Sequence, residues 1–585
     1  MKNSFINKLF FKNKADISFS YDEPAQSELV EDNKGVIKKI LAFFKLIIPK
    51  IRFGFAAACE NSHIVCFVEE LYARILSCQT RVLGVYFMTF TLASALIKYF
   101  SFSNLISFIF SNEIIPLLFG FIISLILLTS KKEIGKLITK SILLSDFRIT
   151  YSQVATAAFY TAKTPGQGFS TAFFLGVFTS FLTIFYPISS IICFFATILF
   201  LLCSINRPES TLLISIFLIP FLNTKGLFII ILITFFSLFY KFMRCKRHIS
   251  FGFTEVLLLL LAICFVVSTS LANESVIIFI KYVLPLILSV VCMNIVRSTS
   301  MLESCYKILI KLITLFSIII LALYISTIIF GYNRVMTVAD SDIFSSFLAT
   351  IKNEDFSVTF IAISVPLVFV RLISSRMFLH LFTLIILLLY SSVFCTFTEI
   401  LVILLSCLAI LCFYNFKSAF LIVFLPFISF ILTLPKNYLT QLLQIKLPRE
   451  NTAFVLDKVI SQFKNNFMFG NGFISEKLIN SGFGSLILSC GFIGTAVFLT
   501  LIIRIIIKNI KFSVKFDLSK TAIKSISIGL CVSTTFFLIM SLFAKTFADL
   551  RCICLFAIIS SLTRNVQRCI KADFIDRYSV REYET

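Results

Sequence analysis

Apolar stretches close to membrane-span length recur along most of this chain, and they constrain its fold more than any motif does. A helix needs about 20 such residues to cross the hydrocarbon core of a bilayer. Candidate spans fall near 82–100, 114–130, 171–186, 187–206, 210–224, 226–242, 253–271, 275–295, 310–330, 357–371, 377–395, 398–414, 418–434, 483–504, 523–543 and 547–563. Allowing for short runs that are re-entrant or wrongly split, this is about 14–16 spans. Composition agrees: 58% of the 585 residues are hydrophobic, 14% are charged, and mean hydropathy is +0.98. Soluble domains sit nearer about 45–50% apolar and 25% charged. The runs are continuously apolar rather than alternating, which excludes strands of a membrane barrel. Helices satisfy every backbone N–H and C=O within their own segment. The predicted fold is therefore all-α, a polytopic integral membrane helical bundle with one large extracytoplasmic loop.

A net charge of +23 invites a nucleic-acid reading. The basic residues instead sit between spans, as the positive-inside rule expects, and nucleic acid is not an expected partner. Clusters occur at Lys131–Lys140, at 241–248 (KFMRCKRH), at Arg297–Lys311, at Arg371–Arg376, at Arg504–Lys524 and from Arg564 onward. With the N-terminus inside, the span order puts all of them on the cytoplasmic side and brings the C-terminus inside as well. The 17 cysteines lie mostly in apolar runs without zinc-type spacing and read as small buried hydrophobes. No Trp is present, which leaves Phe and Tyr as interface anchors.

Five regions follow. Residues 1–81 form a cytoplasmic N-terminal region with no signal-peptide pattern, and its segment Lys34–Phe55 has the look of an amphipathic helix on a membrane face. A linker is the alternative. A membrane domain covers 82–434, an extracytoplasmic loop 435–482, C-terminal membrane helices 483–563 and a cytoplasmic tail 564–585. A second outward loop, Gly331–Phe356, interrupts the membrane domain. The 435–482 loop carries Lys436, Lys446, Arg449, Lys458, Lys464 and Lys477 against Glu450, Asp457 and Glu476. Long loops escape the charge rule. Cations there would also suit an anionic lipid-linked substrate.

Six glycines crowd into residues 465–498: Gly470, Gly472, Gly482, Gly484, Gly491 and Gly494. Gly470 and Gly472 flank Asn471, a turn composition. A phosphate-cradling loop would need a following Lys-Ser/Thr, which is lacking. Gly491 and Gly494 share a helix face and read as a close helix-packing site.

The order of features resembles the O-antigen ligase and polymerase family of bacterial membrane proteins, over roughly residues 170–510. It is carried by Asn206-Arg207-Pro208-Glu209 with Ile219-Pro220-Phe221-Leu222, by the stretch 294–331, and by Arg334-Val335 opening an outer loop. It continues through Phe394-Cys395-Thr396-Phe397-Thr398-Glu399 between two spans, Phe469-Gly470-Asn471-Gly472-Phe473 at the end of the long loop, and the glycine-bearing Leu486–Gly494. The resemblance implies transfer or polymerisation of a glycan from a polyprenyl-pyrophosphate-linked donor to a glycan or lipid acceptor, at the outer face of the bacterial inner membrane, among membrane lipids. It implies no metal or nucleotide cofactor. The leaving pyrophosphate needs arginine-type stabilisation, and the acceptor hydroxyl needs a base.

Mapped onto this chain, the resemblance makes Arg449 the candidate pyrophosphate contact, while Glu399 stands where the family has the arginine of its Thr-x-Ser-Arg-Gly, reverses that charge, and is the candidate base or partner of Arg449. It makes Arg334, Gly470, Gly472 and Asn480 candidate substrate contacts. An acid at a span end is also a functional candidate on cost alone, and the alternative is that Glu399 snorkels into water. Asp340 and Asp342 are further outside acids. The family's histidine before the last glycine-bearing span is replaced here by Asn480–Ser485, and the three histidines lie at 63, 248 and 380. Asn480 or Ser485 could bind a sugar hydroxyl, but neither is a base near neutral pH. Two other readings stand beside the transferase: a lipid-linked oligosaccharide flippase or other transporter, with Lys281 as the main mid-span charge, and a non-catalytic membrane subunit.

Overall fold

A computed structural model describes residues 51–58, 78–101, 114–129, 168–188, 207–244, 252–272, 276–330, 354–375, 377–414, 467–472, 481–515, 522–547 and 549–583, with a few single residues besides. Among the described residues there is no β-strand. The helices discussed are α1 (Thr80–Ser101), α2 (Ile114–Thr129), α3 (Phe169–Ser180), α4 (Pro208–Leu218), α5 (Thr224–Met243), α6 (Phe253–Leu271) and α7 (Val276–Ile295). They continue with α8 (Thr299–Phe330), α9 (Glu354–Ser375), α10 (Phe378–Phe394), α11 (Phe397–Tyr414), α12 (Gly482–Lys515), α13 (Ala522–Met540) and α14 (Leu550–Tyr583). Among the described residues, seven helices are long and apolar enough to cross a membrane, and six more are apolar but shorter. The chain is an all-helical, multi-pass membrane protein.

Two helix groups differ in packing. In the first, α1 packs on α2 and α3. Small residues let the backbones close in: a Cβ at Gly84 would meet the Leu128 backbone N at 3.0 Å, and one at Gly176 would meet the Tyr86 carbonyl at 2.9 Å. In the second, α4–α14 share one apolar core, centred on Phe316, Phe356, Phe360, Phe537 and Phe556. The Phe537 and Phe556 rings stack at 4.0 Å between centroids. Buried hydroxyls in both groups bond back to their own helix, as Thr234 Oγ1 does to the Ile230 carbonyl at 2.7 Å.

Most predicted spans coincide with helices, and α6 matches to the residue. Three differ in length. Helix α8 begins at Thr299, so Lys307 and Lys311, expected in a cytoplasmic loop, ride on its first turns. Helix α12 runs past Arg504 to Lys515. Helix α14 runs past Arg564 to Tyr583, so the basic residues of the expected tail continue the same helix. The predicted span at 418–434 lies outside the described residues.

Helices α6 and α12 run antiparallel side by side. Arg504 of α12 covers the ring of Phe253 at the start of α6, and Ser268 near the end of α6 donates its hydroxyl to the Ser489 carbonyl of α12. These contacts lie some 15 residues apart on each helix, roughly 22 Å at the helical rise. They mark two ends of the bundle. One is basic, at Glu255, Arg504 and Arg564. The other holds most of the candidate site.

Candidate functional site

Of the predicted site residues, Glu399, Gly470 and Gly472 are described. Arg334, Arg449, Asn480 and the acids Asp340 and Asp342 lie outside the described residues, as does any pairing of Glu399 with Arg449.

The glycine-rich lip performs a structural task that its sequence does not show. Helix α12 is broken at Gly491, where φ is +69° and ψ −173°. A break inside a membrane helix frees N–H and C=O groups that lipid cannot satisfy. Residues 467–472 supply the partners. The Asn471 N–H donates to the Leu488 carbonyl at 2.8 Å; the Phe492 and Ile493 N–H groups donate to the Phe467 and Met468 carbonyls at 3.1 and 3.2 Å. The Ser489 carbonyl accepts the Ser268 hydroxyl. Phe467 stacks on Phe492, with ring centroids 5.8 Å apart.

Only glycine permits this junction. Gly470 and Gly491 both have positive φ, and a Cβ at Gly470 would stand 2.6 Å from the Gly491 backbone N. The expectation of a simple packing face at Gly491 and Gly494 therefore needs correcting. Gly491 is the break itself. Gly494 does allow close packing, since a Cβ there would meet the Cys264 Cβ of α6 at 3.5 Å. The Asn471 amide also cannot cradle a phosphate while it closes the helix break.

The first half of α12 starts under a second seal. Ser481 caps it, with the Gly484 N–H donating to the Ser481 hydroxyl at 3.2 Å. The Gly482 and Phe483 N–H groups donate at 2.8 Å to the Ala544 and Ser541 carbonyls in the α13–α14 connection. Ser485, a candidate for sugar binding, donates its hydroxyl to the Gly482 carbonyl at 2.8 Å and is buried.

Glu399 is fully buried, which overturns the expectation that it snorkels into water. It sits three residues into α11 counted from the Thr396 cap, and Oε2 accepts the Thr396 N–H at 2.7 Å. This is half of a capping box. The carboxylate therefore has an architectural duty whatever else it does.

The same end holds a charged pair that sequence reading missed. Asp549 precedes α14 and accepts from Arg551 three times: from the backbone N–H at 2.8 Å, from Nε at 3.0 Å and from Nη2 at 2.6 Å. Arg551 also lies over the Phe356 ring, 4.9 Å from its centroid. Next to Phe356, Ser357 and Tyr390 share a 2.5 Å hydrogen bond between hydroxyls. The available signal was an Asp-x-Arg at the start of an apolar run. Its geometry is a bidentate ion pair anchoring the entry of α14.

The fold thus defines a class, a multi-pass helical membrane protein whose candidate site lies at one end of its bundle. No protein-family model, curated protein or solved structure matches the chain.

Proposed function

We propose that this protein is an O-antigen ligase/polymerase-like membrane protein of cell-surface polysaccharide assembly. It would sit in the bacterial inner membrane with both termini cytoplasmic. It would transfer or polymerise glycan from a polyprenyl-pyrophosphate carrier at the outer face. The supporting observation is that the Phe469–Gly472 lip, the strongest local resemblance to that family, is built into the fold as the seal of a broken membrane helix. The end of the 435–482 loop is thereby fixed at the bundle end that carries Glu399, Tyr390 and the Asp549–Arg551 pair. In this reading Arg449 stabilises the leaving pyrophosphate, and Glu399 orients Arg449 or takes the acceptor proton. Arg334 and Asn480 contact substrate.

A transport reading has one observation in its favour. Broken membrane helices often build transporter binding sites. Here the freed backbone groups of the break pair with the 467–472 turn and Ser268, which leaves them committed within the protein. The transferase reading is therefore preferred. Glu399→Gln and Arg449→Ala test it: both should shorten or abolish the surface glycan while the protein still inserts. An unchanged glycan with normal insertion in both variants would sink the enzyme reading.

A further inference from the structure

The basic end of the bundle contains a cavity of about 470 Å³ between the start of α6 and the middles of α12 and α14. That volume falls within the range of small-ligand sites, about 300–1,000 Å³. Arg504, Lys508, Arg564 and Arg568 line it together with Asn509. Sequence reading treats these cations only as topology markers, yet the fold converges them from two helices distant in sequence.

Their arrangement is held from below. Glu255 is buried, accepts the Gly252 N–H at 2.9 Å and receives Arg564 Nη2 at 2.7 Å. Asn565, one residue on, donates to the Met293 and Val296 carbonyls at the end of α7, at 3.1 and 3.0 Å. The Arg504 guanidinium carbon lies over the Phe253 ring, 4.1 Å from its centroid. Its Nε is buried and has no hydrogen-bond partner. A buried guanidinium nitrogen without an acceptor is costly, so this arginine is held there by its surroundings rather than by a hydrogen bond at Nε.

We infer that this cavity is a binding site for a phosphorylated headgroup. Guanidinium groups meet phosphate oxygens with paired hydrogen bonds, and basic pockets between membrane helices suit anionic headgroups. The rim favours a lipid as the source of the phosphate. Phe253 lines the cavity, and Ile503 and Ile507 adjoin its lining residues Arg504 and Lys508 in the chain; the three are each about half exposed, at 53%, 48% and 45%. In a bilayer those side chains face acyl chains, so a lipid can place its head among the arginines and its tails along these residues. The site lies at the opposite end of the bundle from the proposed transfer chemistry and does not depend on it.

The test uses the full chain, purified in neutral detergent. It is titrated with phosphatidate in mixed micelles, with phosphatidylcholine as the uncharged-headgroup control and inorganic pyrophosphate as a soluble arm. Saturable phosphatidate binding is expected, weakened roughly tenfold in Arg504→Gln and again in Arg568→Gln, as loss of a charge-assisted hydrogen bond predicts. Lys508→Glu, at an exposed side chain, should weaken binding without lowering the melting temperature, and it carries the test if an arginine variant fails to fold. Binding of phosphatidate no tighter than phosphatidylcholine, or equal binding by wild type and Lys508→Glu, overturns the proposal. Pyrophosphate that saturates the site with the same variant dependence, while phosphatidate does not bind, overturns the lipid assignment and gives the pocket to a soluble phosphate.

Discussion

The two ends of the α6–α12 pair use their polar groups in opposite ways. At the end holding Gly491, the described groups that sequence singles out are engaged by the fold: the lip closes a helix break, Ser481 and Ser485 bond to nearby backbone, and Glu399 caps α11. At the basic end, residues that sequence assigns to topology surround a cavity, and Arg504 Nε there has no acceptor. Marked motifs and available chemistry are therefore separate things. Glycine and capping patterns advertise backbone problems that need solving. Arginines spaced by whole helical turns advertise little until tertiary structure brings two helices together.

Substitutions can break or sharpen this contrast. The largest effect is expected at the helix break. Gly491→Ala forces a side chain into left-handed backbone and against the Gly470 N at 2.5 Å, so it should cost about 3 kcal/mol or more and reduce folded yield. Melting of the purified protein, followed by size-exclusion profile, reads this directly. A wild-type profile would mean the break is not sealed as described. Next comes Glu255→Ala, which leaves Arg564 without its buried carboxylate and is expected to cost about 3 kcal/mol. A loss below 1 kcal/mol would show that water compensates Arg564.

Glu399→Ala should cost about 1–2 kcal/mol as a lost cap, while Glu399→Gln, which can still accept the Thr396 N–H, should be nearly neutral for stability. This pair separates architecture from chemistry. A Gln variant that is stable but lacks surface glycan identifies a chemical role, and one that is stable with normal glycan leaves only the cap. The smallest effect is expected at Lys307, whose 3.3 Å pair with Glu303 is partly exposed. Lys307→Ala should shift stability by less than about 0.5 kcal/mol. A larger shift would show that this surface is covered by something.

The helices were legible because hydrophobic length is a direct physical requirement of crossing lipid. Phe253–Leu271 could be read to the residue from its apolar run alone. Helix α8 was read short because Lys307 and Lys311 on its first turns look like loop. The break at Gly491 was not legible. The pattern Gly-x-x-Gly reports only that two small residues share a face, while positive φ at the first depends on a turn some 20 residues earlier. The burial of Glu399 was equally hidden, because its place depends on how the α10–α11 junction packs. Arg504 could have drawn attention as an arginine closing an apolar run. Its partner ring, Phe253, lies on a helix 251 positions earlier and cannot be inferred from the local pattern.

The Glu255–Arg564 contact joins residues 309 positions apart. At about 5–20 residues per second, roughly 15–60 s of synthesis separate the two as the chain is made. The Gly491 seal, in contrast, uses a turn already made when the glycine emerges. The Gly491 break is therefore sealed as it is built, by a turn made shortly before it. The basic cavity is finished only when α14 arrives, because two of its four cations ride on that helix.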